Sequence, residues 1–285
     1  MEQEPIHFAG SVHPKELEAA RQYVHHALQW LARICYHCSP KGSDQDETPL
    51  LWVPNDSKFV TQALVELSGI HFGLQVPTLT LFAKDNTGTM NTLSLDGQSE
   101  SDILDWMSSV LKESHFKTDV LLEPLPYSLP AHKLDEDAMY DAIDTALELR
   151  ELALWYDYGY TILKLLQDEN TSHTKRISDI RCSPRDLSLT TTLQFHHTQD
   201  KSGDAKVHLG FSPGDEHYSE PYFFVTHWPY LEPRRLPELP FIGKWHVQGS
   251  VRAIALSSRL YAIDNNDKLL LAFFRETIES GNALR

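Results

Sequence analysis

The chain has 285 residues, 41% of them hydrophobic and 23% charged, with a net charge of −15. That length can bury a sizeable core, as one large domain or two modest ones. The acidic balance without a basic stripe argues against nucleic acid and anionic membrane surfaces as partners, and no run of 18 or more apolar residues is there to span a bilayer.

Taken in order, residues 14–37 repeat apolar side chains at helical spacing: Leu17, Ala20, Tyr23, Val24, Ala27, Leu31 and Ile34. Residues 39–49 form a polar loop. A short strand is predicted over 50–53 and a short helix over 59–67, ending near Gly69. Residues 78–83 and 91–95 flank Asn86-Thr87-Gly88-Thr89, which reads as a hairpin. A helix capped by Ser101 or Asp102 runs to about Glu113, and 120–122 is a further strand candidate. Glu123 to Pro130 is a Pro-rich extended connector. It suggests an N-terminal α+β half, 1–122, and a second half, 123–285, with one continuous domain as the alternative.

A long helix is predicted from near Leu134. Asp137, Asp141, Asp144, Glu148 and Glu151 fall within about 80° on its wheel, opposite Met139, Ala142, Ile143, Ala146, Leu149 and Ala153. This is read as a solvated acidic face, since no histidine lies between His132 and His173 to complete a di-iron motif. Arg150 breaks the pattern by falling on the apolar side. Either the helix resets near Gly159, or it carries Arg150, Asp157 and Tyr160 inward, where an arginine needs a partner. An inward, ligand-facing Arg150 would suit a carboxylate or phosphate.

Strands are predicted at 187–195, 206–211, 221–227 and 245–253. A closing helix starts at Asp264 or Asn265 and runs to about Ser280, with Gly281 suited to its end. No internal repeat is visible. Helices and strands come in blocks, which predicts an α+β fold: mixed or antiparallel sheets packed with a few helices, one of them long and central.

The N-terminus, Met1 to Ile6, lacks the apolar segment of a secretory signal. Three cysteines make no disulfide framework. A reducing, cytoplasmic location is the expectation. Cys35-Tyr36-His37-Cys38 closes a helix instead of opening one and has no second ligand pair, so it reads as reduced, partly buried thiols. Adjacent His25-His26 and His196-His197 point apart.

The densest chemistry lies in 207–228, together with His246. His208, His217, His227 and His246 sit on or between consecutive strand candidates. If two or three of them face one side they could hold a divalent metal or supply a base. No known metal signature supports this, and no nucleophile elbow, phosphate loop or dinucleotide fingerprint is present. Strand alternation puts Glu220 and Tyr222 on one face and His227 on the other, so His208 with Glu220 is the better acid/base pair.

Several blocks resemble a bacterial family of uncharacterised proteins, catalogued only as a domain of unknown function. They are Cys182-Ser183-Pro184, Gly210-Phe211-x-Pro213-Gly214, Glu220-Pro221-x-Phe223, Ala255-Leu256 with Ser258, and Leu269-Leu270-x-x-Phe273. The order of elements agrees mainly over 123–285. Ser212 stands where the family usually has tryptophan and Phe224 where it has tyrosine. The segment after Pro184 is shorter and lacks an aromatic run. The resemblance implies an α+β fold and assigns no activity, cofactor or catalytic residue.

Three functions follow as expectations. The first is a small-molecule site beside the aromatic strands, lined by Arg150, His208, Glu220, Tyr222, His227 and Trp228. The second is a non-enzymatic interaction module, favoured if the aromatics around Trp228 and Tyr230 are exposed. The third is a histidine-ligated, metal-dependent hydrolase or oxygenase.

Overall fold

The computed structural model describes residues 10–38, 50–62, 69–136, 138–195, 205–261 and 266–283. The chain forms two compact units. One comprises Leu17–Leu154 with Cys182–Leu187, the other Trp155–Arg181 and Ser188–Arg285 with the segment up to Glu16. The Pro-rich connector at 123–130 lies inside the first unit, and the division falls within the long helix. The class is α+β, with antiparallel sheets and one long helix.

The first unit begins with α1 (Glu18–Cys38). Every residue of its predicted stripe is buried, from Leu17 to Ile34. Five strands follow as an antiparallel meander: β1 (Leu51–Val53), β2 (Lys58–Val60), β3 (His71–Gln75), β4 (Thr80–Lys84) and β5 (Met90–Ser94). The predicted hairpin is β4–β5. Asp85 organises its turn by accepting hydrogen bonds from the Thr87 and Thr89 amides at 2.9 Å, while Gly88 takes φ +92°.

The helix predicted from Phe59 is corrected. Phe59 lies in β2 opposite Trp52, with the rings edge-to-face at 4.7 Å, and cross-strand aromatic burial decides the conformation. Residues 63–68 of that expectation lie outside the described residues. The next helix, α2 (Glu100–Glu113), is capped by Ser99, not by Ser101 or Asp102. Asp102 is the third residue of a reciprocal capping box with Ser99. The strand expected at 120–122 is a 3-10 turn, Asp119–Leu121.

The long helix, α3 (Ala146–Asn170), starts well after Leu134. The preceding backbone is committed elsewhere. Tyr140 N donates to Gln98 O, Gly97 N donates to Tyr140 O, and Asp96 Oδ1 accepts from the amides of Ala142 and Ile143. A carboxylate brought from another segment thus satisfies amides that a longer helix would have used internally. The acidic-face reading is corrected with it: Met139 and Ile143 are exposed, and Glu151 is buried. Asp137 lies outside the described residues. Arg150 is exposed, not turned inward. From Leu149 to Leu166 the helix buries side chains on nearly every side, including Trp155, Tyr156, Tyr158 and Ile162, so one apolar stripe no longer describes it. The helix also continues through Gly159. A Cβ there would sit 2.7 Å from Phe211 Cγ, so glycine serves close packing, not a break.

The second sheet is seven-stranded, in the order β11-β12-β10-β9-β8-β6, with β7 against β8. Its strands are β6 (Thr174–Ile177), β7 (Arg181–Cys182), β8 (Leu189–Phe195), β9 (Lys206–Ser212), β10 (Tyr222–Trp228), β11 (Gly243–His246) and β12 (Arg252–Leu256). The single strand expected at 245–253 is two antiparallel strands, turned around Gly249 at φ +74°. The inner face is aromatic. Phe211 packs on Tyr156, and Phe223 packs on Tyr158 and on Phe274. Phe274 belongs to the closing helix α5 (Asn266–Ala283), which follows the short α4 (Ser257–Leu260).

Gly281 lies inside α5, not at its end. A Cβ there would be 2.0 Å from the His227 ring, so the glycine admits the histidine. The start signals at Asp264 and Asn265 lie outside the described residues. Helix, antiparallel sheet, helix is the order of elements in both units, a recurrence that leaves no trace as a repeat in the sequence.

Candidate functional site

The outer face of the second sheet carries the polar chemistry. Register fixes its grid. One row reads Lys244, Ile254, Phe224, Gly210, Thr190 across β11, β12, β10, β9 and β8. The row two residues along holds His246 opposite Arg252 on β11 and β12, and Thr226, His208 and Thr192 on β10, β9 and β8. Phe224 and Tyr222 project on this face and are nevertheless buried, forming a small outer core with Ile254, Tyr218 and Leu256. Gly210 makes this possible: a Cβ there would lie 2.2 Å from the Phe224 ring.

The loop 213–221 folds over this outer core, and Asp215 shapes it. Asp215 Oδ1 accepts from the amides of His217 and Tyr218 at 2.8 and 2.9 Å, and Oδ2 accepts from the Tyr222 hydroxyl at 2.6 Å. Burial and this carboxylate push the Tyr222 pKa well up, so the phenol stays protonated. Tyr218 comes to rest 3.0 Å from His246 Nδ1. His246 Nε2 lies 2.8 Å from the Gln248 carbonyl, which can only accept. Neutral His246 therefore carries its proton on Nε2, and the Tyr218 hydroxyl donates to Nδ1. His217 stacks at 5.4 Å from the His246 ring.

Two cations lie on ring faces here. Lys244 Nζ is 4.4 Å from the Tyr218 centroid, and Arg252 Cζ is 5.6 Å from that of Phe224. Arg252 also donates twice to Ser250 Oγ. Neither cation forms an ion pair among the described residues. Burial, and secondarily Arg259, lowers the Lys244 pKa, with the Glu220 carboxylate pulling the other way.

The residues singled out from sequence are distributed as follows. Tyr222 is within this constellation. His208 is on the same face, three strands from His246, or on the order of 14 Å. Glu220 is buried and structural: its Oε2 accepts from Ser257 Oγ at 3.0 Å and from Ser258 N at 2.6 Å, at the start of α4. The register opposes Tyr222 to Ser212 and Thr226 to His208, so Glu220 and His208 lie toward opposite ends of the β9–β10 pair and form no dyad. His227 is buried on the inner face, where its Nε2 donates to Thr277 O at 3.1 Å. Trp228 is 51% exposed and packs edge-to-face on Tyr230, also 51% exposed. Arg150 belongs to the other unit.

Of the four histidines only His217 and His246 meet, and no group of three or more potential metal ligands occurs among the described residues. Cys35 and Cys182 are buried, and burial raises the Cys182 pKa. The Cys38 side chain and His196-His197 lie outside the described residues. His25 and His26 do point apart: His25 bonds the Arg185 carbonyl, and His26 stacks on His132. No helix among the described residues is long and apolar enough to cross a membrane.

His208 gives a pH prediction. Burial, then Lys206, holds its pKa below 6.5, and burial does the same for His25. The unfolded chain then binds the proton first. Stability is full above pH 6.5 and falls as the pH drops from there through the native value. The urea midpoint is expected to fall between about pH 7 and about pH 5. His208→Gln should flatten part of that fall, and equal slopes in the two proteins would remove the assignment.

No family model matches the chain, and no curated protein or solved structure is detectably similar to it.

Proposed function

We propose that the outer face around Tyr218 binds a small anionic molecule, a carboxylate or a phosphate ester. The observation that carries this is the corner formed by Lys244, His246 and Arg252. The first two are two residues apart on β11, and Arg252 opposes His246 on β12. Such positions lie about 5 and about 7 Å apart, within reach of one anion. The His217 and Tyr218 rings add an aromatic wall, and the Tyr218 hydroxyl, donating to Nδ1, holds the His246 ring in place. Half-buried Asp215, hydrogen-bonded to buried Tyr222, holds that wall in place.

A thermal-shift panel of carboxylates, phosphomonoesters and nucleotides tests the reading. Stabilisation by an anion is expected for the wild type and is expected to be lost in Lys244→Ala. An empty panel, or a shift unchanged in that variant, would overturn it.

A second reading is protein interaction, favoured by the half-exposed Trp228–Tyr230 pair. Kinship with the family that the Gly210-Phe211-x-Pro213-Gly214 block resembles belongs to the proposal too. It is supported by the α+β class and adds no activity. A cytoplasmic site of action is likewise proposed, on the low cysteine content.

A further inference from the structure

Residues 234–240 read Arg-Arg-Leu-Pro-Glu-Leu-Pro. Arg234, Pro237 and Pro240 recur every third residue, the period of a polyproline II helix. A leucine precedes each of the two prolines. The backbone agrees. Leu236 has φ −65° and ψ 130°, and residues 236–240 join no helix or strand. The prolines fix φ at 237 and 240 and disfavour helical conformations at Leu236 and Leu239.

The fold holds this segment at the surface. Trp245 Nε1 donates to Pro237 O at 2.8 Å, and Gly243 N donates to Pro240 O at 2.7 Å. Gly243 also makes room for Leu239, whose Cβ would stand 3.0 Å from a Cβ at 243. Arg234, Arg235 and Glu238 are exposed, and Leu236, Pro237, Leu239 and Pro240 are half-buried. Phe241, next in the chain, is 85% exposed. Arg234 sits in a single 3-10 turn closed by one bond, from Arg235 N to Glu232 O. Opening that bond extends the run to Arg234.

We propose that 234–240 is a docking motif for a domain that reads polyproline II. The partner has the chemistry of an SH3 domain: an aromatic-lined groove for the pairs Leu236-Pro237 and Leu239-Pro240, and a carboxylate pocket for Arg234. Arg234 stands three residues before Pro237, whereas the corresponding place after Pro240 is taken by apolar Phe241 and Ile242 and the next cation, Lys244, belongs to β11, so the N-terminal cation sets the binding direction. Leu236 already holds the extended conformation and the two prolines restrict their neighbours, so docking has to open only the single turn at Arg234. The inference is independent of the anion site, which involves none of these residues.

The test titrates the unlabelled full-length chain into ¹⁵N-labelled SH3 domains that carry an acidic specificity pocket. Shifts confined to the aromatic groove and the acidic pocket are expected. Arg234→Glu, an exposed change, should leave the melting temperature unaltered and weaken binding on the order of tenfold or more. Pro237→Ala combined with Pro240→Ala should abolish it. Groove shifts absent across the panel, or unchanged in either variant, would overturn the proposal.

Discussion

Replacing Phe211 by alanine is expected to lower the unfolding free energy by about 3–5 kcal/mol. Phe211 is fully buried on the inner face of β9. Its ring meets Tyr156 edge-on at 5.2 Å and Phe223 at 5.3 Å, and the Gly159 backbone of α3 rests against it. A cavity there cannot close easily. β9 is paired on both sides, to Leu189 and Phe223 at this very position, so the strand cannot shift without breaking two ladders. The Gly159 contact also ceases to be needed, so Gly159→Ala should be better tolerated with Phe211→Ala than alone, a non-additivity that a double-mutant cycle reads directly. Urea denaturation gives the magnitude. A loss below about 1 kcal/mol would mean that α3 does not pack on the sheet through this ring.

Glu220 carries the second large effect. Its carboxylate is the acceptor for Ser257 Oγ and Ser258 N, and the residue at the N-cap of α4, Leu256, supplies no side-chain acceptor. Glu220→Ala removes an acceptor from buried donors and is expected to cost about 1.5–3 kcal/mol. Glu220→Gln keeps a carbonyl in nearly the same place and should cost clearly less. Equal losses for the two substitutions would show that charge, not acceptance, is what the site requires. Neither change replaces Lys244, His246 or Arg252, and removing the Glu220 charge takes away a carboxylate that acts on Lys244, so anion binding should persist in whatever fraction is folded.

The parts of the fold that were legible in the sequence are those set by local chemistry. The stripe from Leu17 to Ile34 predicts α1 because one face of that helix is buried along its length. The β4–β5 hairpin follows from alternation around a Gly-containing turn. β8, β9 and β10 were legible for the same reason.

What was hidden depends on partners distant in sequence. Nothing near Ala142 reveals that Asp96 will cap its amide, so the helix was extended back to Leu134. Phe59 lies in a helix-like pattern until Trp52 is placed opposite it. Glycines at 159 and 281 read as punctuation, yet each is a gap filled by an aromatic ring from a strand. The candidate site followed the same division. The aromatic loop and strand around Tyr218 and Tyr222 stood out by composition. Lys244 and Arg252 did not, because reading 245–253 as one strand hid the β11–β12 turn at Gly249 that sets Arg252 beside His246. Glu220 and His227 drew attention as reactive types but are spent on internal hydrogen bonds.

The most direct measurement is isothermal titration of the full-length protein with the best anion from the panel, run in parallel on Lys244→Ala, Arg252→Ala and Arg234→Ala, an exposed arginine outside the corner. Each of the first two substitutions should weaken binding on the order of tenfold or more, as expected for losing a hydrogen bond to a charged group, and Arg234→Ala should leave it unchanged. Equal affinity in all four proteins would contradict an anion site at the Lys244–His246–Arg252 corner.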